Sequence, residues 1–273
     1  MNLDSLIELA LAEDLRGGSD VTSEATIAAD AISTAEFIAR GEGVVAGIAA
    51  AVAGLKRVGL TEIDVITKDG DRVHKGQRLI SVTGNTRKIL LAERTALNFL
   101  THLSGISTTT SHWVKALEGS NCKVRDTRKT TPGFRDLEKD AVSFGGGTNH
   151  RLGLSDAILI KDNHIQAAGS ITAAIERVKP LGLPIEIEVD NLEQLKEVIP
   201  LRPDLVLLDN FEPVDCMKAV ALVNGAFKLE ASGGITLENA KAYAVTGVDF
   251  IAVGALTHSA PAFDIGLDFK EGK

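Results

Sequence analysis

The stretch PIEIEVDNLEQLKEVIPLRPDLVLLDN (residues 184–210) determines the fold class that this sequence predicts. It contains two short, largely apolar β-type runs, PIEIEVD (184–190) and LVLLDN (205–210), with an amphipathic segment between them. Such runs are typical of strands buried in a parallel sheet, and the segment between them is typical of a crossover helix. The stretch therefore predicts a β-α-β unit.

Similar runs recur along the chain from residue 124, and the last four start about 20–23 residues apart. The six predicted strands are VRDTRKT (124–130), AILIKDNHI (157–165), PIEIEVD (184–190), LVLLDN (205–210), FKLEASGGI (227–235) and FIAVGA (250–255). A closed eight-fold α/β barrel usually needs at least about 200 residues. Six units in about 150 residues therefore predict an incomplete α/β barrel or an open sheet.

The region before residue 105 has a different pattern and predicts a small α+β domain. Apolar residues at helical spacing predict a first helix that ends near Arg16, before two glycines. Residues 34–48 and 62–83 predict short strands broken by glycine turns. Residues 88–117 predict a long helix that is interrupted near Gly105. We place the α+β domain at 1–104 and the α/β domain at 105–273.

The composition argues against several classes of protein. The chain has 273 residues and a formal net charge of −8, with nine Phe, one Trp and one Tyr, which argues against a large nucleic-acid surface or a base-stacking platform. Cys122 and Cys216 are too few for a disulfide framework or a four-cysteine zinc site, so we expect reduced thiols. The amino terminus lacks the pattern of a signal peptide, and no run approaches the roughly 20 apolar residues of a membrane span. We expect a soluble, cytoplasmic protein.

Charged or glycine residues end every predicted strand of the α/β domain. The carboxyl ends of parallel strands meet at one mouth, where the active sites of such folds lie. The residues at these ends are Arg128, Lys129, Lys161, Glu188, Asp190, Asp209, Ser232, Gly233, Gly234 and Gly254. Any one of them is compatible with an ordinary loop, but six strands that all end in this way predict a functional site.

The cations at this mouth predict a strongly anionic ligand. They are Arg128, Lys129, Arg151 and Lys161, together with His150. In a chain of net charge −8, their mutual repulsion calls for an anion that balances it. Arginine forks suit carboxylates, whereas lysines suit phosphates as point charges.

Two acids and two glycine-rich loops complete the predicted mouth. Glu188 and Asp209 are hard oxygen ligands on different strands, which suits Mg²⁺ bound together with substrate phosphates; the alternative is that they form salt bridges with the lysines. EASGGI (230–235) and GVDFIAVGALTHS (247–259) follow the last two strands, where barrels often bind phosphate on backbone amides. The site therefore suggests group transfer from a phosphorylated sugar.

Arg94 occupies an unusual position in the predicted long helix. It lies between Leu90 and Leu97 on an apolar stripe, and burying a guanidinium without a partner is costly. Arg94 is therefore expected either to form a salt bridge with a nearby acid or to point into a ligand site or across an interface.

A likeness that runs from about residue 3 to 268, and that seven motifs carry, goes beyond these patterns. The motifs are AERTALNFLTHLSGIST, DTRKTTPGFR, GGGTNHRLGLSDAILIKDNHI, EIEVDNLEQ, LLDNF, LEASGGI and GVDFIAVGALTHSAP. Together they resemble the quinolinate phosphoribosyltransferases (nicotinate-nucleotide pyrophosphorylases, carboxylating). The resemblance implies an N-terminal open-faced sandwich, an incomplete α/β barrel of the type II phosphoribosyltransferases, and a homodimer whose active site is shared between subunits.

The resemblance also implies a reaction and a role for each site residue. The expected reaction transfers a phosphoribosyl group from phosphoribosyl pyrophosphate to quinolinate with decarboxylation, in de novo NAD biosynthesis, with Mg²⁺ and no organic cofactor. The implied roles are a cross-subunit arginine for Arg94; quinolinate-carboxylate binding for Arg128, His150 and Arg151; catalytic lysines for Lys129 and Lys161; an acidic pair near magnesium and ribose for Glu188 and Asp209; and a 5-phosphate cradle for Ser232, Gly233 and Gly254.

The chain departs from the family pattern at two positions, and other functions stay open. Asp140 stands where the family commonly has tyrosine, and Ser143 stands where it has arginine, which removes a cation near the pocket approach. One alternative is a paralogue associated with molybdenum transport, which would have another phosphoribosyl acceptor. A non-enzymatic alternative is a carrier or a phosphosugar-binding module. Turnover with both substrates distinguishes these functions.

Overall fold

The computed structural model describes residues 2–270, and the chain divides into two compact units. The first comprises Met1–Ser111, Thr130–Gly146 and Ser259–Lys273, and the second comprises His112–Lys129 and Gly147–His258. The sequence predicted a single boundary at residue 104. The division differs from it because residues 265–269, near the carboxyl end of the chain, pair with residues 35–39 of the first strand. The fold class is the expected one, with a small α+β unit and a parallel α/β unit.

Helices and strands alternate along most of the described chain. The helices are α1 (Leu3–Leu15), α2 (Val21–Thr26), α3 (Ile48–Arg57), α4 (Thr86–Ala116), α5 (Arg135–Phe144), α6 (Asp162–Ala168), α7 (Ile171–Val178), α8 (Leu192–Val198), α9 (Pro213–Val223), α10 (Ala240–Ala244) and α11 (Ala255–His258). The strands are β1 (Ile32–Ala39), β2 (Gly43–Val44), β3 (Glu62–Val65), β4 (Arg72–Val73), β5 (Arg78–Asn85), β6 (Lys123–Arg125), β7 (Ile158–Ile160), β8 (Ile185–Val189), β9 (Leu205–Asp209), β10 (Lys228–Ser232), β11 (Phe250–Ala252) and β12 (Ile265–Phe269). Over residues 2–270, none of the helices has the length and hydropathy needed to cross a membrane.

The first unit is built on a four-stranded antiparallel sheet in the order β12-β1-β5-β3. Alternate residues of β1, including Ala35 and Phe37, are fully buried and join one hydrophobic core with apolar residues of α3 and α4. Glu36, between them, forms ion pairs with Arg78 and Lys270. One face of the sheet is therefore apolar and the other carries charges, which is the pattern of an open-faced sandwich.

Two helix boundaries test the sequence pattern in this unit. Helix α1 ends at Leu15, and Arg16 takes up the left-handed conformation with φ 47°, so the predicted end is confirmed. The predicted interruption near Gly105 is wrong, because α4 is continuous from Thr86 to Ala116. A Cβ at Gly105 would overlap the carbonyl oxygen of Pro261. The glycine therefore serves a close backbone approach and does not break the helix.

The second unit is built on a six-stranded parallel sheet in the order β6-β11-β10-β9-β8-β7. Five of its strands lie within predicted runs, and β6 overlaps the start of the run 124–130 but begins one residue earlier, so the six predicted strands are confirmed. Ile187 and Val206 are fully buried, as are Ile175 on α7, Leu195 on α8 and Ala219 on α9. β6 and β7 are the two edge strands of this sheet and do not pair with each other. The sheet is therefore not closed, and the unit is the expected incomplete α/β barrel.

Candidate active site

The pairing of the parallel strands places polar side chains on one face of the sheet. Glu188 on β8 is in register with Leu207 on β9, which is in register with Glu230 on β10. Two residues further along β9, Asp209 is in register with Ser232. Residues in register on parallel strands, and every second residue of one strand, point to the same side of a sheet. Polar side chains therefore form rows across this face towards the carboxyl ends of the strands.

A cavity of about 500 Å³ opens at these strand ends. It brings together most of the side chains that the sequence predicted for the site. Its lining residues are Thr127, Arg128, Lys129, His150, Arg151, Leu159, Lys161, Glu188, Leu207, Asp209, Glu230, Ser232 and Ala252. The charged mouth predicted from the strand ends is thus a single cavity of the second unit.

Arg128 and Arg151 lie in this cavity with unused hydrogen-bond donors. The Nε atom of each is buried and has no hydrogen-bond partner within the described chain. Nη1 of Arg151 donates to the carbonyl oxygen of Ala157 at 3.1 Å. Burial lowers the pKa of the Arg151 guanidinium, and the charge of Arg128 lowers it further. Two neighbouring guanidinium groups with unused N–H donors are suited to binding carboxylates.

The two lysines of the cavity are held in different ways. Nζ of Lys161, the residue after β7, lies 2.6 Å from Oε2 of Glu188. The carbonyl oxygen of Lys129 accepts a hydrogen bond from Thr257 at 2.8 Å, while a Cβ at Gly254 would lie 2.9 Å from Cδ of Lys129. Glycine at position 254 therefore leaves room for the Lys129 side chain beside the end of β11.

Glu188 and Asp209 differ in how far they are already paired. The ion pair with Lys161 means that Glu188 forms the salt bridge that was the alternative to metal binding. Asp209 forms no ion pair with any residue in the described part of the chain, and its Oδ2 accepts a hydrogen bond from Asn210 at 2.7 Å. Burial raises the pKa of Asp209, although Lys161 opposes this shift. Two carboxylates on neighbouring strands match the oxygen ligands that Mg²⁺ prefers beside substrate phosphates.

The loop after β10 has a tightly constrained backbone. Gly233 has φ +90°, and a Cβ at this position would overlap the side-chain oxygen of Asn210. The backbone N–H of Asn210 donates to the carbonyl oxygen of Ser232 at 2.8 Å. Because only glycine takes up this conformation without strain, the loop can bring backbone N–H groups close to a phosphate.

A buried cluster below the cavity escaped the sequence interpretation. It joins Glu186, Glu230 and Arg125 to His150, and each carboxylate has one buried oxygen without a hydrogen-bond partner in the described chain. Nη1 of Arg125 donates to Oε2 of Glu230 at 2.8 Å. Burial raises the pKa of Glu230 to about 7, and Glu186 raises it further, against the opposing charge of Arg125. Glu186 and Glu230 lie two residues before Glu188 and Ser232, so strand alternation could have placed them on the same face of the sheet, although not in contact with His150.

Arg94 belongs to the first unit and is exposed there. Its neighbours on the predicted stripe are more buried, with Leu97 at 4% exposure and Leu90 half-buried. Arg94 makes no salt bridge with any acid among residues 2–270, so the local ion-pair alternative has no counterpart in the single chain.

The strand-end glycines Gly233, Gly234 and Gly254 are not among the lining residues of the cavity, and three further positions singled out in the sequence also lie outside it. Asp190 follows β8, and its backbone N–H donates to the side-chain oxygen of Gln194 at 2.7 Å. Asp140 and Ser143 lie on α5 of the first unit, and both are exposed. Their effect on substrate choice stays a prediction.

A second cleft of the α/β unit, of about 560 Å³, lies at the opposite ends of the strands. Both aspartates that line it already accept hydrogen bonds from backbone N–H groups. Asp204 accepts a hydrogen bond from the N–H of Ile185, and Asp249 accepts one from the N–H of Leu229. Because active sites of such folds lie at the carboxyl ends, the cavity with the arginines is the better candidate.

Both cysteines are free and buried. Burial raises the pKa of each thiol to about 12, and nearby acids, Asp249 for Cys122 and Asp215 for Cys216, add to the shift. Such thiols are poor nucleophiles at neutral pH. Neither cysteine is therefore a candidate nucleophile, and the candidate catalytic residues are the charged residues of the cavity.

The fold and the cavity define an incomplete α/β barrel with a strand-end site for an anionic substrate. Comparison with known proteins identifies the family. The C-terminal domain profile of quinolinate phosphoribosyl transferase matches residues 106–268, and the N-terminal domain profile matches residues 20–104. The chain belongs to the quinolinate phosphoribosyltransferase family.

Individual relatives cover almost the whole chain. A nicotinate-nucleotide pyrophosphorylase (carboxylating) of Mycobacterium leprae is 48% identical over 270 residues, which are 96% of this chain and 95% of that protein. A probable enzyme of the same name from Bacillus subtilis is 41% identical, covering 98% and 93%. The solved structure of the nicotinate-nucleotide pyrophosphorylase from Francisella tularensis has a TM-score of 0.94 and 41% identity, covering 98% of this chain and 96% of that one.

Proposed function

We propose that the cavity at the strand ends carries out the reaction of this family with the residues that line it. As a quinolinate phosphoribosyltransferase, the chain converts quinolinate and phosphoribosyl pyrophosphate into nicotinate mononucleotide, pyrophosphate and carbon dioxide, a step of de novo NAD biosynthesis. The names of the relatives support this reaction over the alternative associated with molybdenum transport. The observation that carries the assignment of the site is the pair of arginines with unused buried donors.

Arg128 and Arg151 bind the two carboxylates of quinolinate. Each guanidinium supplies N–H groups in a fixed fork, which orients a planar carboxylate as well as holding it. The ring nitrogen is thereby directed at C1 of the ribose, so that much of the entropic cost of bringing two substrates together falls on binding.

Lys129 and Lys161 stabilise charge at the departing pyrophosphate, while Ser232, Gly233 and Gly254 hold the 5-phosphate. An oxocarbenium-like centre develops at C1 as pyrophosphate leaves, and the ring nitrogen of quinolinate forms the new bond. The nitrogen then carries a positive charge. The bond from C2 to its carboxylate breaks, the electron pair stays at C2 beside this charge, and C2 takes up a proton. Fixed cations that match the charge of the transition state more than that of the ground state accelerate such a step.

Glu188 and Asp209 are the residues that would hold Mg²⁺. Their carboxylate oxygens fit this ion, which keeps several waters and substrate oxygens when bound through one or two carboxylates. When bound, the ion neutralises negative charge on the pyrophosphate. For Glu188 to take this role, its ion pair with Lys161 has to loosen, and that change would free the lysine for the phosphates.

The functional enzyme is a homodimer in which Arg94 serves the partner's active site. The exposure of Arg94 in the single chain, beside buried Leu97, supports this assignment, as does its place in the AERTALN motif. The enzyme acts in the cytoplasm, which fits its two buried free thiols.

The comparison of quinolinate with nicotinate tests the arginine pair. Nicotinate lacks the 2-carboxylate, so it loses one charge-assisted contact, which is worth about 1.5–3 kcal/mol or roughly 10- to 150-fold in binding. We expect nicotinate to compete with quinolinate at least about tenfold more weakly. If the two acids compete equally well, the arginine pair does not bind the 2-carboxylate of quinolinate.

A further inference from the structure

Lys129 lies on a loop without regular secondary structure, yet its backbone is held on both sides. Its N–H donates to Oγ1 of Thr127 at 3.0 Å. Its carbonyl oxygen accepts a hydrogen bond from Oγ1 of Thr257 at 2.8 Å. The first contact is local, whereas Thr257 lies 128 residues further along the chain. The backbone of Lys129 is therefore fixed to the second unit by the Thr257 hydroxyl.

The hydroxyl of Thr257 is buried, and only 2% of the residue is exposed. Oγ1 also lies 3.2 Å from the carbonyl oxygen of Gly254, but a hydroxyl has one proton to donate. The Gly254 carbonyl already accepts a hydrogen bond from the backbone N–H of Thr257 at 3.1 Å. The proton of the hydroxyl is therefore assigned to the shorter contact with Lys129.

The side chain of Lys129 has no comparable anchor. It is exposed and lines the cavity, and Nζ forms no ion pair with an acid among residues 2–270. Lys161, in contrast, is paired with Glu188. A lysine side chain is long and flexible, so the position of an unpaired ammonium group depends on how firmly its backbone is held.

We propose that Thr257 is a positioning residue that acts on the reaction through Lys129, by holding the backbone of this lysine beside the turn at Gly254. The inference rests on the proposed roles of Lys129 at the departing pyrophosphate and of Gly254 at the 5-phosphate. In those roles the two residues hold opposite ends of phosphoribosyl pyrophosphate.

Thr257 is bonded to both of these residues, to Lys129 through its side chain and to Gly254 through its backbone. It therefore sets the spacing between the groups that hold the two ends of the substrate. A cation that is already in place does not have to be reoriented when the transition state forms, so its stabilising effect on that state is larger.

Two substitutions at position 257 separate the hydroxyl from the shape of the side chain. Thr257→Val replaces the hydroxyl with a methyl group, and Thr257→Ser keeps the hydroxyl. We expect Thr257→Val to lower kcat/KM for phosphoribosyl pyrophosphate about tenfold, and Thr257→Ser to stay within about threefold of the wild type. Quinolinate binding, titrated without the second substrate, should stay within about threefold in both variants. A serine variant as impaired as the valine variant would overturn the proposal, as would a loss of quinolinate binding as large as the loss in kcat/KM.

Thr246→Val is the matched control in the same unit. Thr246 is also buried, with 7% exposure, and its Oγ1 donates to the carbonyl oxygen of Tyr243 at 2.7 Å. It precedes β11, whereas Thr257 follows this strand. We expect both valine variants to be destabilised to a similar extent in urea unfolding, but Thr246→Val to keep kcat/KM for phosphoribosyl pyrophosphate within about twofold. If the control loses kcat/KM as strongly as Thr257→Val, the loss reflects stability alone and the proposal fails.

A double-mutant cycle tests whether Thr257 acts through Lys129. Lys129→Ala removes the ammonium group but keeps the carbonyl oxygen that accepts from Thr257. In this background Thr257→Val should change kcat/KM for phosphoribosyl pyrophosphate by less than about twofold, because the group that Thr257 positions is gone. A further loss of about tenfold in this background would show that Thr257 does not act through Lys129.

Thr257→Ala provides the same loss of the hydroxyl if Thr257→Val does not fold, and the same outcomes apply to it. The Lys129→Ala variant alone separates the two levels of the argument. Full activity of Lys129→Ala would contradict the proposed role of Lys129 and the inference with it. An impaired Lys129→Ala variant with an additive effect of Thr257→Val would contradict this inference alone.

Discussion

At the scale of single residues, the account depends on side chains that the protein leaves without partners. Most buried polar atoms in folded proteins are hydrogen-bonded. The Nε atoms of Arg128 and Arg151 are exceptions within the described chain, and both lie in the same cavity. Two exceptions side by side indicate a ligand that completes them.

Removing either arginine should affect one substrate far more than the other. We expect Arg128→Ala or Arg151→Ala to weaken quinolinate binding by about 1.5–3 kcal/mol, roughly 10- to 150-fold. Binding of phosphoribosyl pyrophosphate should change much less. Isothermal titration of each ligand separately measures both, and Arg177→Ala, at an exposed position on α7, is the control. Equal losses for both ligands would mean that the two arginines do not bind quinolinate specifically.

The acidic pair should determine the magnesium requirement. Glu188→Gln and Asp209→Asn each remove a charge while keeping the shape of the side chain. We expect either variant to need more Mg²⁺ for half-maximal activity, or to lose turnover, because a carboxylate ligand has become a weaker amide ligand. Activity measured across a magnesium titration checks this. An unchanged magnesium dependence in both variants would leave the two acids as salt-bridge partners only.

At the scale of elements, the sequence predicted the strands of the α/β unit but not all residues of its site. The strands were predictable because runs such as LVLLDN are buried on both faces of the sheet. Lys161 was predictable because it directly follows β7, and Arg128 because it lies three residues after β6, near the end of the run 124–130. Glu186 and Glu230 lie deeper on the same strands, where only the register of neighbouring strands shows that they meet His150.

Gly105 illustrates what local sequence does not contain. Glycine is a weak helix former, so a break was the natural expectation from the pattern. The residue that demands glycine there is Pro261, which lies far along the chain. A contact of this kind depends on tertiary structure and leaves no periodic signal.

Two helical glycines of the first unit should respond to alanine in opposite ways. Gly105→Ala should destabilise the protein by about 1–3 kcal/mol, because the new methyl group overlaps the backbone at Pro261. Gly54→Ala on α3 meets only ordinary contacts with Thr95 and Ile7, at 3.8 and 3.9 Å. It should be neutral or stabilise by about 0.5–1 kcal/mol. Urea unfolding measures both, and equal stability of the two variants would contradict the close approach.

The loop after β10 offers a similar matched pair. Both glycines there have positive φ, but a Cβ at Gly233 would overlap Asn210 whereas a Cβ at Gly234 would meet open space. We expect Gly233→Ala to weaken phosphoribosyl pyrophosphate binding about tenfold more than Gly234→Ala does, which corresponds to about 1.4 kcal/mol of added strain. Titration with this substrate tests the pair. Losses of equal size would mean that the loop does not shape the phosphate site.

At the scale of the whole molecule, the proposed sharing of the active site between two subunits rests on Arg94. Arg94 was singled out in the sequence because a guanidinium interrupts an apolar stripe. In the folded chain it is exposed and has no ion-pair partner among residues 2–270. An arginine in this position is expected to find its partner in a second subunit.

Mixed dimers test whether Arg94 acts across subunits. Arg94→Ala and Lys161→Ala should each be nearly inactive alone. If Arg94 acts in the partner's site, a heterodimer has one site with both lesions and one site with neither. Random mixing gives about half heterodimers, so about a quarter of all sites should be intact. Co-purification of differently tagged subunits establishes that exchange has occurred, and no recovery in verified heterodimers would return Arg94 to a role within its own subunit.

The most direct test of the central claim follows both halves of the reaction at once. Quinolinate labelled at its 2-carboxylate is incubated with phosphoribosyl pyrophosphate, Mg²⁺ and the purified enzyme, and labelled carbon dioxide and pyrophosphate are counted in the same sample. The account predicts one carbon dioxide for each pyrophosphate, with nicotinate mononucleotide formed in equal amount. Pyrophosphate released without carbon dioxide, or no release of either, would contradict a site that joins phosphoribosyl transfer to decarboxylation.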